Sequence, residues 1–175
     1  MRARIIIVVI LALVVAGAVA VVTSRPTTPS GGTRPSAIAT EGIPSGATEA
    51  TIGYVHDGDT VFLGDRTKVR LLGINTPEIG DNAECYGDEA TAALRALLPV
   101  GSHVWVLADV EPLDQYGRSL LFIYTDDGTN VNLELIAIGA AEVEQYRPNL
   151  LFSDELHSAE VAARAADLGL WAACY

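Results

Sequence analysis

Apolar and polar positions change their rhythm several times along this chain, and each change marks an element. The runs Thr51 to Val55, Thr60 to Leu63 and Thr67 to Ile74 are short and mostly β-branched or apolar. Polar turns, His56-Asp57-Gly58-Asp59 and Gly64-Asp65-Arg66, separate them, so the pattern predicts a three-strand meander. The period then lengthens. Ala90, Ala93, Leu94, Leu97 and Leu98 recur at helical spacing, with Asp88 and Glu89 at the end where negative charge is favourable and Pro99-Val100-Gly101 as the stop. Strands resume over His103 to Val110 and Ser119 to Thr125, joined by a loop holding Asp114-Gln115-Tyr116-Gly117-Arg118. After Asp126-Asp127-Gly128-Thr129, the positions Leu133, Ile136, Ala137 and Ala140 predict a second helix. A third is predicted from Ser153 as N-cap to Gly169 as C-cap, with Leu156, Ala159, Ala163 and Ala166 on one face. Five short strands with a helix between the third and fourth predict an α+β fold, a five-stranded OB-type barrel flanked by helices two and three.

Upstream the pattern is different. Ile5 to Val22 is an uninterrupted apolar run of 18 residues behind Arg2 and Arg4. Residues 1–22 therefore read as an export signal, either a signal peptide cleaved after Ala18-Val19-Ala20 or a single membrane-spanning anchor. Residues 23–50 are rich in Thr, Ser, Pro and Gly with almost no large apolar side chain, so they read as a disordered linker. Both readings place the folded part, residues 51–175, outside the cytoplasm, secreted or held at the cell surface.

Composition narrows the classes. Of 175 residues 50% are apolar and 6% aromatic, which excludes a disordered polyelectrolyte, a collagen-like chain and a disulfide-dense mini-protein. Residues 51–175 carry seven basic side chains against 20 acidic ones. A protein that grips nucleic acid through a broad basic face has the opposite balance, so any contact with a polyanion has to be local.

The carboxylates supply the first candidate chemistry. Asp57-Gly58-Asp59-Thr60 puts two acids at the exit of the first strand, and Asn75-Thr76-Pro77-Glu78 puts an amide oxygen and a third acid at the exit of the third. Together they offer the oxygen donors that a hard cation requires, although Asp-Gly-Asp is also a common turn sequence. Arg70 alternates with Val69 and Leu71 on a strand, and Arg118 opens the fifth strand after a Tyr-Gly turn. Two arginines on rigid strands beside such a cluster form a phosphate clamp; the bland alternative is a pair of surface ion pairs.

Five motifs occur in order across residues 51–175. They are Asp57-Gly58-Asp59-Thr60, Arg70-Leu71-Leu72-Gly73-Ile74-Asn75-Thr76-Pro77-Glu78, Tyr86-Gly87-Asp88-Glu89-Ala90, Asp114-Gln115-Tyr116-Gly117-Arg118 and Gly169-Leu170-Trp171. This series resembles the staphylococcal nuclease (thermonuclease) family. The resemblance implies a Ca²⁺-dependent phosphodiesterase acting on DNA and RNA. It implies Asp59 and the Thr76 carbonyl as calcium ligands, Glu78 as the group that activates water, and Arg70 and Arg118 as the phosphate-binding arginines. Tyr116 and Tyr146 match aromatics that contact the nucleotide.

The sequence also departs from that pattern. Asn75 stands where the family's second calcium carboxylate is commonly aspartate, Glu144 replaces an aromatic near the base, and Gln115 replaces a basic neighbour of the phosphate. With the acidic surface, these changes predict weaker and less salt-sensitive nucleic-acid binding. A non-catalytic OB-type module that binds nucleic acid at the cell surface is the alternative reading, against which the joint presence of Asp59, Arg70, Glu78 and Arg118 argues. Cys85 and Cys174 are the only cysteines, and in an exported chain they are expected to pair.

Overall fold

The computed structural model describes residues 42–175, so the apolar N-terminal run and most of the segment read as linker lie outside the described residues. Five strands close a barrel: β1 (Thr48–Val55), β2 (Thr60–Leu63), β3 (Lys68–Leu71), β5 (His103–Leu107) and β6 (Ser119–Tyr124). Around the barrel the order is β1-β2-β3-β6-β5. Every pairing is antiparallel except β3 with β6, where Arg70 stands opposite Leu120 in a parallel ladder. Alternation explains the interior. Val61, Val69, Leu71, Val104 and Ile123 are almost wholly buried, while Lys68 and Arg70 on the same strand as Val69 face outward.

Among the described residues, three helices of seven residues or more flank this barrel: α1 (Gly87–Leu97), α2 (Val131–Ala137) and α3 (Ser153–Ala165). The predicted α+β barrel with three helices is therefore the observed architecture. Several bounds differ, for local reasons. β1 starts at Thr48, within the stretch read as linker, because Thr48 to Thr51 pair with Val106 to His103 of β5. The strand predicted to reach Ile74 stops at Leu71. Gly73, at φ 77°, turns the chain, and Ile74–Asn75 form a separate strand, β4, paired with β7 (Glu142–Val143). The strands predicted to reach Val110 and Thr125 end at Leu107 and Tyr124. Ala140 lies beyond the end of α2. Ser153 is the first residue of α3 rather than its cap, and its hydroxyl donates to Gln145. Helix α3 ends at Ala165, and Gly169 instead leads into a one-turn helix, α4 (Leu170–Ala173).

Two polar features tie the helices down. Asn130 caps α2 by accepting from the Leu133 N–H. Asn132 is fully buried; its Oδ1 accepts from Ile123 N–H, and its Nδ2 donates to the carbonyls of Leu72 at 2.9 Å and Leu121 at 3.3 Å. One amide thus joins α2 to β6 and to the turn after β3. Asn132→Ala strands the Ile123 N–H and the Leu72 carbonyl in a dry interior, where each lost partner costs about 1–3 kcal/mol, while the Leu121 carbonyl keeps the Leu72 N–H. A loss of roughly 2–4 kcal/mol is expected as a lower denaturant midpoint at unchanged m.

Candidate active site

The turn between β1 and β2 is shaped by its own carboxylates. Asp57 accepts from the Asp59 N–H at 3.2 Å, and the Asp59 carboxylate accepts from the Thr60 hydroxyl and from the Thr76 N–H at 3.2 Å. Gly58 is required by this approach, since a Cβ there would lie 2.5 Å from the Thr76 hydroxyl oxygen. Asp59 is consequently buried, at 7% exposure, and burial pushes its carboxyl pKa up; Arg70 opposes that shift and Asp57 adds to it.

Arg70 reaches this carboxylate from β3. Its Nη1 donates to the backbone carbonyls of Leu71 at 2.7 Å and Ile74 at 2.6 Å, which fixes the guanidinium plane. Its Nη2 faces Asn75 Oδ1 at 3.0 Å, Asp59 Oδ2 at 3.1 Å and Glu144 Oε2 at 3.3 Å. The β4–β7 ladder explains two of these partners, since it carries Asn75 and delivers Glu144 immediately after Val143.

Glu78 lies on the segment between β4 and α1, exposed at the edge of the same cluster. Its backbone is held from both sides. Its N–H donates to Glu84 Oε2 at 3.1 Å, and its carbonyl accepts from the Glu84 N–H at 2.9 Å. Gly87, the first residue of α1, packs so tightly on that carbonyl that a Cβ would fall 2.2 Å from the oxygen. Partial desolvation at this edge raises the Glu78 pKa, and the negative charges of Asp59, Asp57 and Glu84 raise it further against the opposing pull of Arg70.

Arg118 comes from the loop before β6, and Asp114 organises that loop. The Asp114 carboxylate accepts from the backbone N–H groups of Tyr116 and Arg118, each at 2.9 Å, and from Arg118 Nε at 2.5 Å. Burial acts to raise the Asp114 pKa, but these bonds, that of the Arg118 side chain first, hold it below the ordinary range. Attachment through Nε keeps the two Nη groups of Arg118 outside that bond. Tyr116 lies beside the same guanidinium, 5.7 Å from ring centroid to Cζ, and is 76% exposed. Arg70, Arg118, Tyr116, Tyr146 and Glu144 all line one open pocket of about 410 Å³.

The sequence pattern of the family described as "Staphylococcal nuclease homologue" matches residues 68–173. The chain belongs to that family. This staphylococcal nuclease homologue is 31% identical over 140 residues to "Endonuclease YhcR" of Bacillus subtilis, an alignment covering 72% of this chain and 12% of that protein. It is 31% identical over 130 residues to "SPbeta prophage-derived endonuclease YokF" of the same organism, covering 70% of this chain and 44% of that protein. The chain thus spans less than half the length of each of these two relatives. With "Thermonuclease" of Staphylococcus intermedius it shares 31% identity over 123 residues, 67% of this chain and 72% of the other.

In this staphylococcal nuclease homologue the residues grouped around Asp59 offer oxygen donors: the Asp59 and Asp57 carboxylates, Thr76, whose N–H and hydroxyl meet Asp59, the Asn75 amide and Glu78. Among the described residues no three Asp, Glu, His or Cys side chains converge closely enough to hold an ion by themselves. Carbonyl, amide and water oxygens would have to complete a shell. The donor chemistry nevertheless fits a hard divalent cation, because the donors are oxygens and the Asp59 carboxylate, although paired with Arg70, is buried beside a second acid, Asp57. Asn75, read from the sequence as a neutral ligand, turns its Oδ1 to Arg70 here. Three residues with structural work at the site were not singled out for it in the sequence. Glu84 and Gly87 act on the Glu78 backbone, a role with no periodicity to reveal it, whereas Asp114 is legible as turn chemistry, an acid three residues before Gly117.

Proposed function

We propose that this chain is a calcium-dependent nuclease, exported or held at the cell surface by its N-terminal segment, that hydrolyses phosphodiester bonds of DNA, RNA or both. The observation that carries the reading is convergence. A buried Asp59, the Thr76 backbone, Glu78 and the guanidinium of Arg70 sit together, and Arg70 shares one open pocket with Arg118 and two exposed tyrosines. The Cys85–Cys174 disulfide supports an oxidising, extracytoplasmic setting.

Phosphodiester hydrolysis places negative charge on the non-bridging oxygens as water attacks in line with the leaving oxygen. Arg70 and Arg118 approach the pocket as preorganised donors for that charge, held by backbone carbonyls in one case and by Asp114 in the other. Glu78 accepts a proton from the attacking water, and its raised proton affinity suits it to that task. Tyr116 and Tyr146 offer exposed rings to the sugar or base. Asp59, the Thr76 carbonyl and Asn75 would hold the calcium ion, which when bound supplies Lewis-acid stabilisation of the same phosphate charge.

The direct test is cleavage of single-stranded DNA and of RNA by the purified chain, with calcium and then with excess chelator. Calcium-dependent cleavage of either polymer is expected, and intact substrates under both conditions would refute the reading. A sharper test uses Asn75→Asp. Restoring a carboxylate adds one negative charge beside Asp59, so the calcium concentration for half-maximal activity is expected to fall on the order of tenfold. Asp59→Asn is expected to raise it steeply. An unchanged midpoint in Asn75→Asp, beside a shifted one in Asp59→Asn, would assign Asn75 to Arg70 alone.

A further inference from the structure

We infer that Glu144 is a displaceable plug of the phosphate site, a carboxylate that occupies Arg70 until a substrate phosphate takes its place and that thereby sets substrate affinity. This rests on the nuclease reading of the pocket. The argument is a count of hydrogens. Arg70 Nη2 carries two, and three acceptors face it: Asn75 Oδ1 at 3.0 Å, Asp59 Oδ2 at 3.1 Å and Glu144 Oε2 at 3.3 Å. Nη1 cannot relieve the excess, because the carbonyls of Leu71 and Ile74 already engage it. One of the three acceptors is therefore bound least well.

Glu144 is that acceptor on each measure. It is the longest of the contacts, and its side chain is 37% exposed against 10% for Asp59. Asp59 is further tied to Thr60 and Thr76, and Asn75 is held in the β4–β7 ladder. Only Glu144 has both a route into solvent and a neighbour on the pocket wall, Tyr146, whose hydroxyl pKa its carboxylate raises. A phosphodiester anion entering between Arg70 and Arg118 presents the same chemistry as this carboxylate, two oxygens sharing a negative charge, and competes for the same hydrogen.

The test is equilibrium binding of a fluorescent single-stranded DNA oligonucleotide to the full chain, in chelator so that nothing is cleaved, at fixed ionic strength. Glu144→Gln is expected to bind about three- to tenfold more tightly than the native chain. In the cleavage assay with calcium its KM is expected to fall by the same factor. Glu111 borders the same pocket and forms no ion pair with either arginine, so Glu111→Gln measures the general effect of removing one negative charge; a gain under about twofold is expected. Unchanged or weaker binding by Glu144→Gln overturns the inference, as do equal gains in both variants or no binding by any protein. Failure of the native chain to cleave DNA or RNA with calcium would count against the nuclease reading, and that arm is read independently of the binding comparison.

Discussion

Arg70→Lys and Glu78→Gln are each expected to lower turnover at saturating calcium by about 100-fold or more, with the barrel intact. For Arg70 the reason is the division of labour within the guanidinium. One edge is spent on the carbonyls of Leu71 and Ile74, which orients the other toward Asp59, Asn75 and the pocket. A lysine ammonium keeps the charge but has no rigid plane with which to do both, so the donor is no longer preorganised where phosphate charge develops. For Glu78 the amide removes the proton acceptor and, with it, one negative charge beside Asp59 and Asp57, an effect on the metal that saturating calcium offsets. The bonds to Glu84 that position the residue use its backbone, not its side chain. Initial rates at saturating DNA, with circular dichroism to confirm folding, measure both. A folded Glu78→Gln variant that keeps near-native calcium-dependent turnover would remove Glu78 from the mechanism. The same outcome for Arg70→Lys would reduce that arginine to a structural tie between β3 and β4.

The sequence was most informative where a side chain's position follows from strand alternation. Val69 and Leu71 had to face the barrel interior, and Arg70 between them had to leave it. The five strands and the helices were legible for the same reason, since their burial is periodic. Apart from the Cys85–Cys174 bond, what escaped was set by contacts between segments far apart in the chain. The two-residue strands β4 and β7 carry too few positions to show a period, yet their pairing is what brings Glu144 onto Arg70. The two residues are separated by most of the folded domain. Glu144 was noted in the sequence as a departure from the family pattern, and no spacing rule could say which cation it faces. Asn132 was invisible in a different way. Set among apolar helix positions, it reads as a polar interruption, and only the buried carbonyls of Leu72 and Leu121 explain it.

Removal of the disulfide is expected to have the largest effect on stability. Cys85 and Cys174 are bonded, with Cα atoms 5.9 Å apart and a separation of 89 positions in sequence. Closing a loop of that length restricts the unfolded chain by about 4–5 kcal/mol in the chain-entropy model. The bond fastens the segment that precedes α1 to the tail that follows α4, an end whose own apolar anchor is small, being Leu170 and Trp171 packed with Ala163. Cys85→Ser with Cys174→Ser is therefore expected to lose roughly 4 kcal/mol, read from denaturant curves under non-reducing conditions. A loss below about 1 kcal/mol would mean that the unfolded chain is already constrained by other residual structure. The effect on turnover at low temperature, where the variant is still folded, is expected to be much smaller than that of Glu78→Gln. Although Cys85 adjoins the Glu78 segment, that segment is held independently by both Glu84 bonds and by the contact of Gly87 with the Glu78 carbonyl. If turnover instead collapses while the barrel stays folded, the covalent link and not these local contacts is what keeps Glu78 in place.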